Sequence, residues 1–345
     1  MRSLKVTKPL LSLSLDLDDK WSYLKTHGDP SWASLPSYLA LVVPRILGFL
    51  AARKLRITFF VVGQDADVPR NRPLFAEIAG HGHEIANHSF HHEPWLQAYS
   101  EERFEAELAK AEEAIEAATG RRTVGFRGPG FSLSEAGPRV LARRGYVYDA
   151  STFPTFVGPL ARAYTFLHSR YTREQKKERA ALFGSLRDAV RPNTPYILHG
   201  QGTPPLVEIP VTTLPFLRIP IHVSYVMYLA TVSPALAVGY FAAALALCRA
   251  TGVQPSVLLH PTDFLRPEEA PEMAHFPAMR LPIAIKQRVL EAVVQKMTDR
   301  FEVVTMETHA AAVVRRAGAT AIAHESEAAL RGGAPRAPVG LRGRS

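Results

Sequence analysis

The sequence predicts an α/β fold built on a parallel sheet or a (β/α) barrel. Runs with the period-two or continuously apolar pattern of strands alternate with amphipathic helical runs over most of the 345 residues. The clearest helix is SEERFEAELAKAEEAIEAATG, in which Ser100 is the predicted N-cap and Gly120 ends the helix. Strands that alternate with helices in this way form parallel sheets, whose faces the helices cover.

Each element is predicted from its local pattern. Helices are expected at residues 38–54, 73–79, 100–120, 135–144 and 285–298, from apolar periodicity and flanking caps. The expected strands, in chain order, are LLSLSLDL, RITFFVVG, HEIANH, TVGF, YVYDAST, LVEIPVTT and SVLLHPTDF. We expect a single domain over residues 1–317, with an insertion at about 155–205 whose charged helix, 172–190, forms a lid or shoulder. Residues 318–345 lose periodicity and collect Gly, Pro and Arg, which predicts a disordered basic tail.

Composition describes an ordinary soluble globular protein, with 47% hydrophobic and 21% charged residues. The net charge of +9 comes without a basic run interleaved with aromatic residues, so no nucleic-acid partner is predicted. The excess indicates attraction to phosphate or to an anionic membrane face, or only a bias toward arginine.

Cys248 is the single cysteine, and Asp16 and Asp18 interrupt the apolar start too early for a signal peptide. These features predict a cytoplasmic location.

Residues 219–248 form a stretch of thirty residues without Asp, Glu, Lys or Arg. Its length and apolarity would suit a membrane span, but two prolines and a glycine interrupt it. Ser233 followed by Pro234 is typical of a helix start, so we predict a barrel helix of roughly 16 residues ending near Arg249. An intermediate hypothesis is that this face rests on a membrane or accepts a lipid chain. On that hypothesis the protein contacts a membrane peripherally through residues 219–248.

The segment HGHEIANHSFHH holds five histidines in twelve residues, and it predicts a metal site. His88 and His92 are four residues apart, so on one helical turn both imidazoles would point to the same side. A carboxylate and a water would complete a catalytic metal site, and Asp16, Asp18 and Asp19 follow the first strand. The sequence therefore predicts a divalent metal, zinc foremost, held by His88, His92 and one of these aspartates.

Five motifs together resemble the polysaccharide deacetylase family, which contains the NodB-homology domain of carbohydrate esterases. In chain order they are Asp16-Leu-Asp18-Asp19, His88-Ser-Phe-His-His92, Phe126-Arg127-Gly-Pro129, Tyr148-Asp149-Ala-Ser-Thr-Phe153 and Leu258-Leu-His260-Pro261. The resemblance implies a distorted (β/α) barrel of about seven strands, with the site at the carboxyl ends of the strands. Lys20 and Phe153 stand where the family has glycine and tryptophan, and the motif forms are closest to the branch acting on lipid-linked and peptidoglycan-type glycans.

The resemblance also implies roles for the acidic residues and the arginine. Asp16 would be the general base and Asp18 the metal ligand, with His88 and His92; the adjacent pair Asp18 and Asp19 stays open as the alternative. Arg127 would keep the base carboxylate ionised and oriented.

Three further residues complete the implied machinery. His260 would protonate the departing amine, and Asp149 would orient His260. The backbone N–H near Gly130 would stabilise the oxyanion.

The implied function is hydrolysis of an N-acyl group, N-acetyl foremost, from an amino sugar of a glycan, and a lipid-linked glycan is the hypothesis that the uncharged stretch and the basic charge suggest. Two alternatives stay open. One is a deformylase or other amidase acting on a polyprenyl-linked formamido sugar, and the other is a non-catalytic barrel that binds glycan or lipid.

Overall fold

The computed structural model describes residues 8–157, 190–200 and 202–318, and these contain nine strands in one sheet. The strands are β1 Leu10–Asp16, β2 Thr58–Val61, β3 Glu84–Asn87, β4 Gly125–Phe126, β5 Tyr148–Asp149, β6 Tyr196–Leu198, β7 Leu206–Glu208, β8 Ser256–Leu259 and β9 Glu302–Val304. Their order is β6-β7-β5-β4-β3-β2-β1-β8, and β9 pairs with the start of β1. Seven pairings are parallel and the edge pair β6–β7 is antiparallel.

The predicted barrel fold is confirmed, as a curled sheet with helices packed around it. A backbone hydrogen bond of 3.0 Å from Thr212 N to Ser256 O joins the chain beyond β7 to β8. The strand number exceeds the predicted seven because β6 and β9 join the sheet. β6 lies inside the predicted insertion, so the described part of that insertion contributes an edge strand.

The described residues contain nine labelled α-helices. They are α1 Lys20–His27, α2 Leu39–Ala51, α3 Gly63–Asp67, α4 Arg72–Gly80, α5 Glu101–Thr119, α6 Gly137–Arg143, α7 Val223–Ala230, α8 Pro234–Ala250 and α9 Ile283–Arg300. The caps predicted for α5 are confirmed, since the Ser100 side chain accepts from Arg103 N and Gly120 has a φ of 64°. A further helical run covers 306–318.

The uncharged segment 219–248 contains α7 and most of α8. Ser233 caps α8 by accepting from Leu236 N, as predicted. One face of the two helices is buried in the main core through residues such as Met227, Phe241 and Leu245. No helix in the described ranges is long and apolar enough to cross a membrane.

The main hydrophobic core lies between β1, β2 and β8 and the helices α2, α7, α8 and α9. Strands such as β1 and β2 are buried along nearly their whole length, which explains their continuous apolar pattern. The predicted lid helix at 172–190 lies almost entirely outside the described residues, as does the predicted tail beyond 318.

Candidate metal centre and active site

The predicted site residues meet at the carboxyl ends of the parallel strands. β1 ends at Asp16, the histidine motif follows β3, and His260 follows β8. Six of the eight predicted site residues line a cleft of about 200 Å³ here, whereas Arg127 and Asp149 do not. Its lining residues are Asp16, Asp18, Ser22, Tyr23, Thr26, His27, His88, His92, Pro94, Gly130, Phe131, His260 and Phe276.

The histidine motif is a tight loop, and the predicted helical turn is wrong. Residues 88–92 carry no helix, and both Ser89 (φ 63°) and His92 (φ 51°) adopt the left-handed conformation. Local hydrogen bonds hold this uncommon backbone: Asn87 Oδ1 accepts from Ser89 N at 2.8 Å, and Ser89 Oγ accepts from His92 N at 3.2 Å. The left-handed backbone at Ser89 and His92, and not a helical turn, brings the two imidazoles together. Non-glycine residues in this strained conformation are concentrated at functional sites.

Asp18, His88 and His92 form a buried group whose ligand atoms all lie within 4.8 Å of one another. Asp18 Oδ1 is 3.1 Å from His92 Nε2 and 3.3 Å from His88 Nε2. Among the described residues, no other group of three or more His, Cys, Asp or Glu side chains comes together in this way. Two imidazole nitrogens and one carboxylate oxygen are a donor set that catalytic zinc and related divalent ions accept.

The hydrogen bond behind His88 also suits a metal ligand. His88 Nδ1 lies 2.6 Å from the carbonyl oxygen of Arg127. A carbonyl only accepts, so Nδ1 carries a proton and Nε2, which lies beside Asp18, is the nitrogen that can bind a metal. The residues present therefore fit a divalent ion.

The electrostatics of the group also favour an ionised ligand at position 18. Burial opposes ionisation of Asp18, but His92 and His88 outweigh it and hold the pKa of this carboxyl well below its usual value. Burial likewise opposes charge on His88, whereas Asp16 and Asp18 raise its pKa. A divalent cation would take over the role that the histidine protons play in this balance.

Asp16 meets Arg127 instead of the metal group. Arg127 Nη1 donates to Asp16 Oδ1 at 2.6 Å and to Ser14 Oγ at 2.9 Å, and Arg127 Nε donates to Ala150 O at 3.1 Å. Arg127 is fully buried, so this ion pair is desolvated and fixed in orientation. Asp16 Oδ2 is 4.0 Å from His88 Nε2, which puts a free carboxylate oxygen beside the candidate ligands.

Asp19 has the structural role of a helix cap. Its Oδ1 accepts from Lys20 N at 2.7 Å and from Tyr38 N at 2.9 Å, at the start of α1. Of the two pairs left open by the sequence, the geometry thus favours Asp16 and Asp18 over Asp18 and Asp19.

The structure gives His260 a different partner from the predicted Asp149. His260 Nδ1 lies 2.9 Å from Ser224 Oγ, and Ser224 Oγ donates to Asp263 Oδ1 at 3.2 Å. Asp263 Oδ2 accepts from His260 N at 2.9 Å.

Asp149 instead accepts from Ser151 Oγ at 2.6 Å and lies beside Glu208 in the sheet register. The predicted pairing is corrected because Asp149 is fully buried at the end of β5, among the sheet's own side chains.

Sequence reasoning missed Ser224, Asp263 and Glu208. Asp263 stands three residues after His260, and this capping-box spacing could have been noticed. Ser224 lies within the uncharged segment, where one hydroxyl gives no signal of its own.

The predicted oxyanion glycine lies at the cleft. Gly130 has a φ of 58° and is exposed in the turn after β4, where an added Cβ would lie 3.4 Å from Pro94 Cβ. Beside it Phe131 lines the cleft and packs against Phe153, with ring centroids 4.7 Å apart and the rings tilted by 42°.

Comparisons with known proteins agree with the resemblance and the fold predicted from the sequence. The family model for polysaccharide deacetylase matches residues 30–148, a range that contains His88, His92 and Arg127. The resemblance predicted from the motifs is confirmed by this match. Asp16, Asp18 and His260 lie outside the matched range, so their assignment rests on the geometry above.

The fold is also similar to those of solved structures. A putative polysaccharide deacetylase from Mycobacterium smegmatis is 24% identical, covers 91% of this chain and 93% of its own, and gives a TM-score of 0.60. A probable polysaccharide deacetylase from Pseudomonas aeruginosa PAO1 is 18% identical, with 87% and 89% coverage and a TM-score of 0.56. Puue allantoinase is also 18% identical, with 87% and 88% coverage and a TM-score of 0.56. No curated protein sequence matches the chain.

Proposed function

We propose that the protein is a metal-dependent hydrolase that removes an N-acyl group, N-acetyl foremost, from an amino sugar of a glycan. The observation that carries this proposal is the meeting of three groups in one cleft. A candidate metal triad, a carboxylate held by a buried arginine and a histidine with a fixed ring all line it or lie directly behind it. Metal-dependent amide hydrolysis uses these three functions: a Lewis acid, a general base and a general acid.

In this proposal Asp18, His88 and His92 hold a divalent ion, zinc foremost. Such an ion supplies Lewis-acid polarisation of the amide carbonyl and of water. The resident side chains then move the protons. Asp16 accepts a proton from the attacking water, and Arg127 holds the Asp16 carboxylate in a fixed orientation at the cleft.

The remaining steps use the opposite wall of the cleft. His260 gives a proton to the departing amine as the C–N bond breaks, so that water and the amide become a carboxylic acid and an amine. The Gly130 N–H is proposed to stabilise the oxyanion, since the glycine lets the substrate approach the backbone closely. Asp149 has an indirect role in this proposal. It precedes Ala150, whose carbonyl accepts from Arg127 Nε, and it accepts from Ser151 Oγ in the same loop.

The experiment that tests the proposal measures bound metal and acid release in the same preparations. Wild type is expected to hold about one divalent ion per chain and to release acetate from N-acetylglucosamine-containing oligosaccharides. His88→Ala/His92→Ala should lose both. His91→Ala is the matched control, because His91 pairs with Glu107 at 2.7 Å and stands outside the triad.

The other outcomes separate the alternatives. Metal without acetate release, but with formate release from formamido sugars, would replace the deacetylase by a deformylase. Absence of metal in reconstituted wild type would leave a non-catalytic binding barrel and overturn the proposal.

We further propose that the glycan is lipid-linked and that the protein works at the inner face of a membrane, through 219–248 and the hairpin 213–220 that leads into it. Residues 209–262 contain no Asp or Glu, in a chain of net charge +9. The hairpin exposes Phe216 (79%) and Leu217 (63%) at its tip, and α8 exposes Leu236 (54%). Exposed apolar tips without acidic neighbours suit an anionic lipid surface.

A further inference from the structure

The ring of His260 is fixed by a closed cycle of hydrogen bonds. Nδ1 meets Ser224 Oγ at 2.9 Å, Ser224 Oγ meets Asp263 Oδ1 at 3.2 Å, and Asp263 Oδ2 returns to His260 N at 2.9 Å. Asp263 is fully buried, so the cycle holds one side of the imidazole away from water. The cycle joins two elements, α7 and the turn after β8.

The direction of these bonds sets the tautomer of His260. A serine hydroxyl has one hydrogen, and because an ionised carboxylate only accepts, the hydrogen bond to Asp263 uses that hydrogen. The bond between the ring and Ser224 therefore uses the hydrogen on Nδ1, with Ser224 Oγ accepting. Nε2 is left as the nitrogen that exchanges a proton in the cleft that His260 lines.

The turn that carries Asp263 is itself held from two sides. Lys286 Nζ, which is fully buried on α9, donates to Thr262 O at 2.8 Å and to Leu265 O at 2.9 Å. Arg45 Nη1 on α2 donates to Phe264 O at 2.6 Å. The carbonyls of Thr262, Phe264 and Leu265 are thus hydrogen-bonded to side chains of two helices. These bonds restrict the movement of the turn that carries Asp263.

We infer that Ser224 and Asp263 are the positioning residues of His260: they keep a hydrogen on Nδ1, so that Nε2 is the nitrogen that takes up a proton at the cleft and gives it to the departing amine. The inference rests on the proposed function, because it gives His260 the acid role in amide hydrolysis. It goes beyond that function by assigning the support of the acid to α7 and the turn after β8 instead of to Asp149.

The test compares Ser224→Ala with Ser224→Thr, which keeps a hydroxyl at the same position. Ser224→Ala should lower kcat roughly 10- to 100-fold, a part of the 10²–10⁴ that general acid–base catalysis contributes, and leave KM within about twofold. Ser224→Thr should restore most of the loss. Thr231→Ala, at the end of the same helix, is the control and should leave kcat unchanged.

A second readout is independent of turnover. Nitrogen-15 shifts of the His260 ring, assigned by their absence in His260→Gln, should report the Nδ1–H form in wild type and a mixture of tautomers in Ser224→Ala. Loss of kcat without a change of tautomer would show a merely structural role and overturn the inference. So would an unchanged tautomer together with unchanged kcat.

The two arms also separate this inference from the proposed function. If wild type hydrolyses none of the amides offered, the proposed function fails, and the ring shifts alone decide the tautomer. If wild type is active and Asp263→Asn behaves like wild type in both readouts, the function stands and the inference fails.

Discussion

Three aspartates within four positions of one chain have three different environments. Asp16 pairs with a buried guanidinium, Asp18 lies between two imidazoles, and Asp19 accepts two backbone N–H groups. The side chains diverge because Asp16 still belongs to β1 whereas Asp18 and Asp19 lie in the turn into α1. Each environment assigns its carboxylate one task, so single amide substitutions should give three distinct phenotypes.

The first prediction compares Asp16→Asn, Asp18→Asn and Asp19→Asn. Asp16→Asn should keep about one metal per chain and lose roughly 10²- to 10⁴-fold in kcat, since the base is gone. Asp18→Asn should lose metal binding and activity together, because the anionic ligand is removed. Asp19→Asn should keep both, because asparagine also caps helices. Metal content and kcat are measured in parallel; loss of metal in Asp19→Asn would restore the adjacent-pair alternative.

A second prediction concerns the coupling of Asp16 to Arg127. Arg127→Met leaves Asp16 as a buried charge without its partner, which costs about 3–5 kcal/mol in comparable cases. Adding Asp16→Asn removes that charge, so the double variant should be more stable than the sum of the single effects predicts. Urea unfolding of all four proteins gives the coupling energy. Additive effects would mean that the ion pair contributes little to the fold.

At the scale of elements, loops and turns determine the site more than the strands do. The strands bring their carboxyl ends together, but the ligand geometry depends on the left-handed loop at 88–92 and on the turn after β8. The turn after β8 is held by the buried side chain of Lys286. A buried lysine with a shifted pKa makes the stability of the fold depend on pH. Burial lowers the pKa of Lys286 to about 8, although Asp263 and Glu269 oppose the shift.

The third prediction follows from this shift. Because the folded-state pKa of Lys286 lies below its ordinary value of 10.5, the unfolded chain binds more protons between about pH 8 and 10.5. Stability from this group therefore rises as pH increases through that window, and the cost of burying the charge is fully present below pH 8. Between pH 7 and 9.5, wild type should gain roughly 1–2 kcal/mol relative to Lys286→Met.

Denaturant unfolding of wild type and Lys286→Met at the two pH values measures this difference in the free energy of unfolding. The other titrating groups contribute equally to both proteins and cancel. Lys296→Met, on the same helix, is the matched control for loss of a lysine. An equal gain in wild type and Lys286→Met would show that Lys286 is not the group that titrates.

At the scale of the whole molecule, the sequence was sufficient for the barrel and for most of the cleft. Alternating strands and helices indicate parallel pairing, and parallel pairing brings the carboxyl ends of β1, β3 and β8 to one edge. That is why Asp16, Asp18, His88, His92 and His260 could be placed together without coordinates.

Other features depend on contacts that no local pattern encodes. The left-handed Ser89 and His92 follow from side-chain hydrogen bonds within the loop, and periodicity alone predicted a helical turn there. The partner of His260 comes from α7, which is 36 residues away in the sequence. The antiparallel β6 is three residues long and pairs only at the edge, so its pattern is too short to be recognised.

The outer surface of the molecule carries the fourth prediction, on membrane contact. The hairpin bridged at Thr213 and Pro220 packs against α8, where Tyr240 Oη donates to Pro220 O at 2.9 Å. Phe216 and Leu217 at its tip are therefore presented on a fixed base. Burying a Phe or Leu side chain contributes about 1.5–3 kcal/mol, so two such residues can decide whether a basic protein stays on an anionic bilayer.

Phe216→Ser/Leu217→Ser should weaken binding to phosphatidylglycerol-containing vesicles at least tenfold, measured by co-sedimentation, and leave activity on a soluble oligosaccharide unchanged. Leu41→Ser/Val314→Ser removes two exposed apolar side chains elsewhere on the surface and should bind like wild type. Since the basic charge contributes as well, added salt should weaken the binding of wild type and control alike. Equal binding of the tip variant and wild type, or binding of neither, would remove the membrane from the proposed function while leaving the chemistry of the cleft unaffected, because the tip contributes no residue to the cleft lining.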